Sequence, residues 1–284
     1  PPSFHYLPKE KPYWGWLDHE SCGDVYHTSQ LDCYFPGAEP TCGVEQTTEW
    51  ANRSLVETQA LCSPRSAVYE TGLWRAASME YLFSNVLKTV FDEAERQARA
   101  VFGRNGTVQP PKVPNDLILV HMRWGDKYSE TPLIGVEVYI GVIRRMEREQ
   151  NLNEINVFLC TEDPVAVAAF LDRSQPLGWN IYIDHFYSEY ESHRLSRPKT
   201  ADNEVEYNLV AKLTLELKGK PGLWAIGSIL VAMESKYYVL NLASNWSRIY
   251  NELRKNVVHP RCNNCTVMID VSDTSDESMH GIEC

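Results

Sequence analysis

The chain has 284 residues, 43% of them hydrophobic, and a formal net charge of −11. That supplies core for one large domain or two smaller ones, while the negative balance argues against nucleic acid as a partner and gives no reason to expect adhesion to an anionic membrane. No apolar run approaches the ~20 residues that span a bilayer, and the opening Pro1-Pro2-Ser3-Phe4-His5 is not a signal peptide, which suits a processed or trimmed form.

Residues 1 to about 66 are rich in Pro, Gly, Cys, Trp and Tyr with little periodicity, and read as an irregular, disulfide-stapled lobe. Cys22, Cys33, Cys42 and Cys62 lie here, and Cys262, Cys265 and Cys284 lie near the other end. An even total of eight cysteines in clusters suggests disulfides. Sequons at Asn52, Asn105, Asn245 and Asn264 add to that signal. Together they point to a secretory-pathway lumen, Golgi or ER, or to the outside of the cell.

From Met79 the pattern changes. Met79, Leu82, Phe83, Val86, Leu87, Val90, Phe91, Ala94, Ala98 and Val101 keep a three-four spacing, which predicts one long amphipathic helix whose stripe is core. Gly103 to Pro114 reads as a linker. Strands and helices then alternate: a strand over Leu117–Met122, a helix over Val136–Glu149, a strand over Ile155–Cys160. Asp163-Pro164 sets a capping carboxylate before a proline at the first helical position, and Val165–Leu171 continues that helix. A short strand at Ile181–Ile183, helices at Glu204–Leu217 and Leu223–Met233, a strand at Tyr237–Leu242 and a helix at Ser247–Lys255 complete the series. Such alternation implies a parallel sheet with helices on both faces. The expected division is a lobe with the long helix over 1–115, a Rossmann-like domain over 116–260, and an acidic, cysteine-containing tail over 261–284. Cys262-Asn263-Asn264-Cys265 reads as a local disulfide, with zinc as the alternative.

Three strand ends should converge on one edge of that sheet, where ligands sit in open α/β folds. The first carries His121, Arg123, Asp126 and Lys127; the second Thr161, Glu162 and Asp163; the fourth Asn241, Ser244 and Asn245, leading into a helix that starts near Ser247. Ionised groups are costly to desolvate without partners, so the first cluster is not made for packing alone. A helix start suits phosphate, and Arg123 adds a fixed fork of donors. The chain has no P-loop and no GxGxxG after a strand, so a nucleotide-sugar site fits better than a triphosphatase or a dinucleotide dehydrogenase. Glu162 and Asp163 read as cap residues first. Trp124 either packs under the motif loop or stacks on a base. His185, His193 and His259 are scattered, and no metal is expected.

These residues carry a family resemblance. His121-Met122-Arg123-Trp124-Gly125-Asp126-Lys127 resembles the His-x-Arg-Arg-x-Asp-Lys hallmark of the GDP-fucose-dependent α-1,6-fucosyltransferases, a group that includes nodulation fucosyltransferases and is distantly similar to protein O-fucosyltransferases. Ala243-Ser244-Asn245-Trp246-Ser247-Arg248 with Tyr250-Asn251-Glu252-Leu253, Thr161-Glu162-Asp163-Pro164, Leu73-Trp74-Arg75-Ala76, and Asp32-Cys33-Tyr34-Phe35 with Cys42 are similar to the family's other blocks in order. The resemblance runs from about Trp14 to Lys255. It implies a GT-B-like α/β fold and an inverting glycosyltransferase that moves fucose from GDP-fucose to a glycan or polypeptide hydroxyl, with GDP-fucose as donor substrate and no cofactor. By that resemblance Arg123 binds the β-phosphate, His121 sits beside the nucleotide, Ser244 bonds a phosphate with Asn245 close by, and Asp163 lies on the donor side. Asp126 and Lys127 order the donor pocket, and Glu130 is the base. Sugar on Asn245 would obstruct such a site, so that sequon should be unused in an enzyme.

The chain departs from the family at three places. Trp124 stands where the second Arg is expected, Ala225–Leu230 offers no guanine-reading carboxylate, and Asn241-Leu242-Ala243-Ser244 replaces Thr-Phe-Ser-Ser. A second reading therefore stands beside the first: a non-catalytic descendant that serves as a structural or binding subunit of a luminal or extracellular assembly. A third, a disulfide-rich lectin-like module, would need an exposed aromatic platform and no phosphate site, against which Arg123 argues.

Overall fold

A computed structural model describes residues 34–35, 79–84, 86–103, 111–124, 133–195 and 216–272. The expected helix over Glu204–Leu217, most of the N-terminal lobe with its four cysteines, and Cys284 lie outside the described residues.

Five parallel strands form one sheet: β1 (Leu117–His121), β2 (Asn156–Cys160), β3 (Asn180–Ile183), β4 (Tyr237–Leu240) and β5 (Val267–Asp270), in the order β3-β2-β1-β4-β5. Every residue of β1 and β2 is buried, as expected of strands covered on both sides. Alternation sends Ile118 and Val120 into one core and Leu117 and Leu119 into the other. Helices α2 (Val136–Glu149) and α3 (Pro164–Ser174) supply Tyr139, Ile143 and Phe170 to the first core. Helices α1 (Lys88–Phe102), α5 (Lys220–Ala232) and α6 (Asn245–Leu253) supply Phe102, Ile229 and Tyr250 to the second, and α4 (His185–Leu195) follows β3. The topology explains the division. The chain steps outward from β1 to β2 to β3, then returns to the far side of β1 for β4 and β5. With right-handed crossovers, reversing the direction of travel moves the connecting helices to the opposite face. The fold is thus α/β and Rossmann-like, and no helix among the described residues is long and apolar enough to cross a membrane.

The single long helix expected from Met79 onward is two pieces. Residues 79–84 are helical, but Leu87 is extended (φ −61°, ψ 148°) and α1 begins after it. The break lets the Leu87 amide donate to the Tyr34 carbonyl at 3.1 Å and packs Val86 with Tyr34 and Phe35. The three-four spacing survives across the break because both segments bury the same side. The second correction is β5. Val267–Asp270 falls in the stretch expected to be a tail, yet it pairs with β4 from Tyr237↔Val267 to Leu240↔Asp270. Four half-buried residues at a sheet edge leave too short a pattern to recognise. The Cys262–Cys265 bridge forms just before this strand, with the Cα atoms 5.4 Å apart.

Helix α1 packs on α5 at close range, and its buried face is not purely apolar. Gln97, only 1% exposed, donates through Nε2 to the Trp224 carbonyl at 2.8 Å and to Glu93 Oε1 at 2.7 Å. Gly227 makes the approach possible: a Cβ there would stand 2.8 Å from Gln97 Nε2 and 2.9 Å from Glu93 Cγ. Alanine at position 227 would gain ~1 kcal/mol of helix propensity, but overpacking of this kind costs ~1–3 kcal/mol. Gly227→Ala should therefore lower the melting temperature in a calorimetric scan; an unchanged or raised value would mean that α1 and α5 separate without cost.

Candidate functional site

The winding reverses between β1 and β4, and the crevice at the carboxyl ends of those two strands is where an open α/β sheet takes its ligand. His121 ends β1, with Arg123 two residues beyond; on the other side β4 ends at Leu240, and α6 begins at Asn245.

His121 continues the alternation of Leu117 and Leu119, so its ring enters the core under α6. It is 5% exposed, its Nδ1 lies 2.6 Å from Ser247 Oγ, and its ring meets Tyr250 edge-on at 5.5 Å. Burial, with help from the Arg123 charge, pulls its pKa down to about 3, so the imidazole is neutral. One ring nitrogen of His121 is thus committed inside the protein. Ser247 is the hydroxyl residue of the Asn245 sequon and is fully buried. The helix was expected to start near Ser247 but starts at Asn245, which sets Ser247 inside it and makes Ser244 the N-cap.

Arg123 remains at the mouth with its side chain 23% exposed. Its Nη1 donates to Glu162 Oε1 and, at 3.3 Å, to the Trp124 carbonyl. Trp124 packs against the first core and donates from Nε1 to the Ile134 carbonyl at 2.9 Å, so packing rather than stacking on a base describes it. Asp126, Lys127 and Glu130 lie outside the described residues.

The two acids after β2 have different jobs. Asp163 caps α3, its Oδ1 accepting from the Val165 amide at 2.8 Å. Glu162 was expected to cap as well, and instead pairs with Arg123. On the opposite side Ser244 is 3% exposed and makes no side-chain cap bond, although N-cap serines ordinarily do. Asn245 is exposed, and its Oδ1 accepts from Arg248 Nη1 at 3.2 Å. The turn between them is fixed from two directions: Asn241 Oδ1 accepts from the Ala243 amide at 3.0 Å, and Asp270 Oδ1 accepts from the Leu242 amide at 3.1 Å.

One group of residues escaped the sequence reading. Asp184 follows β3, 3% exposed, with Oδ2 accepting from Ser228 Oγ at 2.6 Å and Oδ1 from the Phe186 amide at 3.1 Å. Cys160, a buried thiol outside any disulfide, ends β2 between His121 and Asp184. Tyr250 covers it and accepts a bond from Trp246 Nε1 at 3.0 Å. Alternation along each strand carries the signal, since Phe158 and Cys160, then Tyr182 and Asp184, repeat the Leu119 and His121 spacing on one face. Burial pushes the thiol and the phenol up, and pushes the Asp184 carboxyl up to about 6, with Ser228 partly offsetting. Among the described residues no group of three or more His, Cys, Asp or Glu side chains is placed to hold a metal ion.

No family model matches the chain, and no curated protein matches it.

The two shifted groups oppose each other in acid. His121, folded near 3 against an ordinary ~6.5, withdraws stability as the pH falls below about 6.5. Asp184, folded near 6 against an ordinary ~3.9, adds stability as the pH falls from about 6 to 4, by ~3 kcal/mol in all. The parent should therefore hold nearly level across that window, while Asp184→Asn should lose stability steadily. Urea unfolding at pH 4.5, 5.5, 6.5 and 7.5 measures this, and a variant with the parent's profile would refute it.

Proposed function

We propose that this chain is an inverting glycosyltransferase of the α-1,6-fucosyltransferase-like group, with a GT-B-like arrangement, acting in the secretory-pathway lumen or outside the cell. The observation that carries the reading is the pairing of Arg123 on one side of the β1/β4 reversal with the uncapped Ser244 turn and α6 N-terminus on the other. A guanidinium fork and unpaired helix amides are the two devices that hold a diphosphate without a metal. The ordered motifs narrow the nucleotide sugar to GDP-fucose, and the Cys262–Cys265 bridge agrees with an oxidising compartment.

In this reading GDP-fucose is a substrate and no cofactor is needed. Arg123 takes the β-phosphate and stabilises the charge that grows as GDP departs. Ser244 Oγ, not engaged as a cap, bonds a phosphate oxygen. The acceptor hydroxyl of a glycan or polypeptide attacks the anomeric carbon from the face opposite the diphosphate, its proton passes to Glu130, and the sugar–phosphate bond breaks with inversion.

One observation favours the second reading, a descendant without turnover that serves in an assembly. Arg123 already has a carboxylate partner, and Trp124 is used for packing. The two readings part on ligand binding. Calorimetric titration of the protein with GDP should give saturable heat, and Arg123→Ala should weaken it at least tenfold. Absence of heat with the parent protein would transfer the assignment to the binding-subunit reading.

A further inference from the structure

The acid that meets Arg123 is the one the helix does not need. Asp163 caps α3, and Thr161 Oγ1 accepts from the Asp163 amide at 3.2 Å, so the turn after β2 is held without the Glu162 side chain. Glu162 sits just before the α3 N-terminus, where the helix dipole favours negative charge, and reaches across from β2 to the residue that follows β1. Its carboxylate thus holds the arginine Nη that a phosphate oxygen would take. Both side chains of the pair stay accessible, 23% for Arg123 and 32% for Glu162, so an anion from solution can compete for the guanidinium. The consequence of this half-buried, solvent-accessible pair lies in what it does to a ligand.

We infer that Glu162 is an internal stand-in for phosphate on Arg123 and sets the affinity of this edge for a diphosphate, an inference that rests on the nucleotide-sugar reading for the identity of the ligand. A diphosphate that takes Arg123 must first displace the carboxylate and then tolerate its negative charge nearby. The effect is an electrostatic brake: it weakens the hold on free GDP and thereby favours release of the product. Glu162 is in this sense an affinity-determining residue, while Arg123 is the group that touches phosphate.

The test compares parent, Glu162→Gln and Arg123→Ala as full chains, titrated by calorimetry with inorganic pyrophosphate and with GDP. Glutamine keeps the size and one acceptor of the side chain and removes its charge. Circular dichroism of each variant should match the parent, since the capping residue Asp163 is untouched. Glu162→Gln should bind pyrophosphate and GDP about tenfold more tightly than the parent, and Arg123→Ala should weaken both. Equal or weaker binding of both anions by Glu162→Gln would overturn the inference, while GDP binding by the parent would leave the nucleotide-sugar reading standing. A gain with pyrophosphate and no added affinity for GDP over pyrophosphate would support the stand-in and sink the guanine nucleotide. Failure of every form to bind either anion would overturn both.

Discussion

The structure depends on β1 pairing on both edges. Its backbone groups are shared between β2, in register from Leu117↔Asn156 to His121↔Cys160, and β4, from Ile118↔Tyr237 to Val120↔Val239. Both side-chain faces are buried as well, so water cannot satisfy any group of this strand and the two neighbours must. A strand held on four sides is open only at its ends, and the carboxyl end leads into His121 and Arg123. The reversal of winding leaves the helices that flank it on opposite faces, the arrangement at whose carboxyl end an open α/β sheet takes its ligand. The placement of Arg123 and Ser244 on either side of it follows from chain order, because the first residues after β1 and the first after β4 are neighbours in any sheet of this order.

The same constraint explains why polar side chains line the last rung under the crevice. His121 and Cys160 end β1 and β2, Asp184 is the first residue after β3, and α5 and α6 lie over them. Burying three such groups side by side is tolerable only if each is neutral or bonded. The imidazole is neutral and bonded to Ser247, the thiol is held in its protonated form, and the carboxylate accepts from Ser228 and a helix-start amide. The row therefore acts as a floor beneath the crevice, polar enough to orient hydroxyls on α5 and α6 and closed enough to exclude solvent.

Much of this was legible in the sequence, for physical reasons that differ by element. Val136–Glu149 was readable to the residue because its apolar stripe is regular over almost four turns, and β1 and β2 because doubly buried strands are continuous apolar runs. Asp163 was legible as a cap from the proline beside it. Periodicity could not report the break at Leu87, whose amide bonds to Tyr34 more than fifty positions earlier. The partner of Arg123 was hidden for the same reason: Glu162 and Asp163 are alike in chemistry, and only the pairing of β1 with β2 decides which one faces the arginine. Asp184 was overlooked because a lone acid after a three-residue run looks like surface, and its burial comes from α5, over forty residues later.

The edge strand β5 shows how the second half of the candidate site is held. It begins beside Thr266, whose Oγ1 accepts from Nη1 of the buried Arg254 at 3.1 Å and lies 2.7 Å from Nδ1 of His259, and the Cys262–Cys265 bridge closes the turn just before it. It ends at Asp270, which accepts from the Leu242 amide in the turn that leads to Ser244. A four-residue strand has few ladder bonds to resist slippage, and a shift of one residue would turn every side chain to the other face. Anchoring at both ends removes that freedom. Asp270 then stays opposite Leu240 as the register requires, and its bond to the Leu242 amide fixes the turn carrying Ser244. The geometry of the candidate site is thus set on one side by the central strand and on the other by a half-buried, four-residue edge strand.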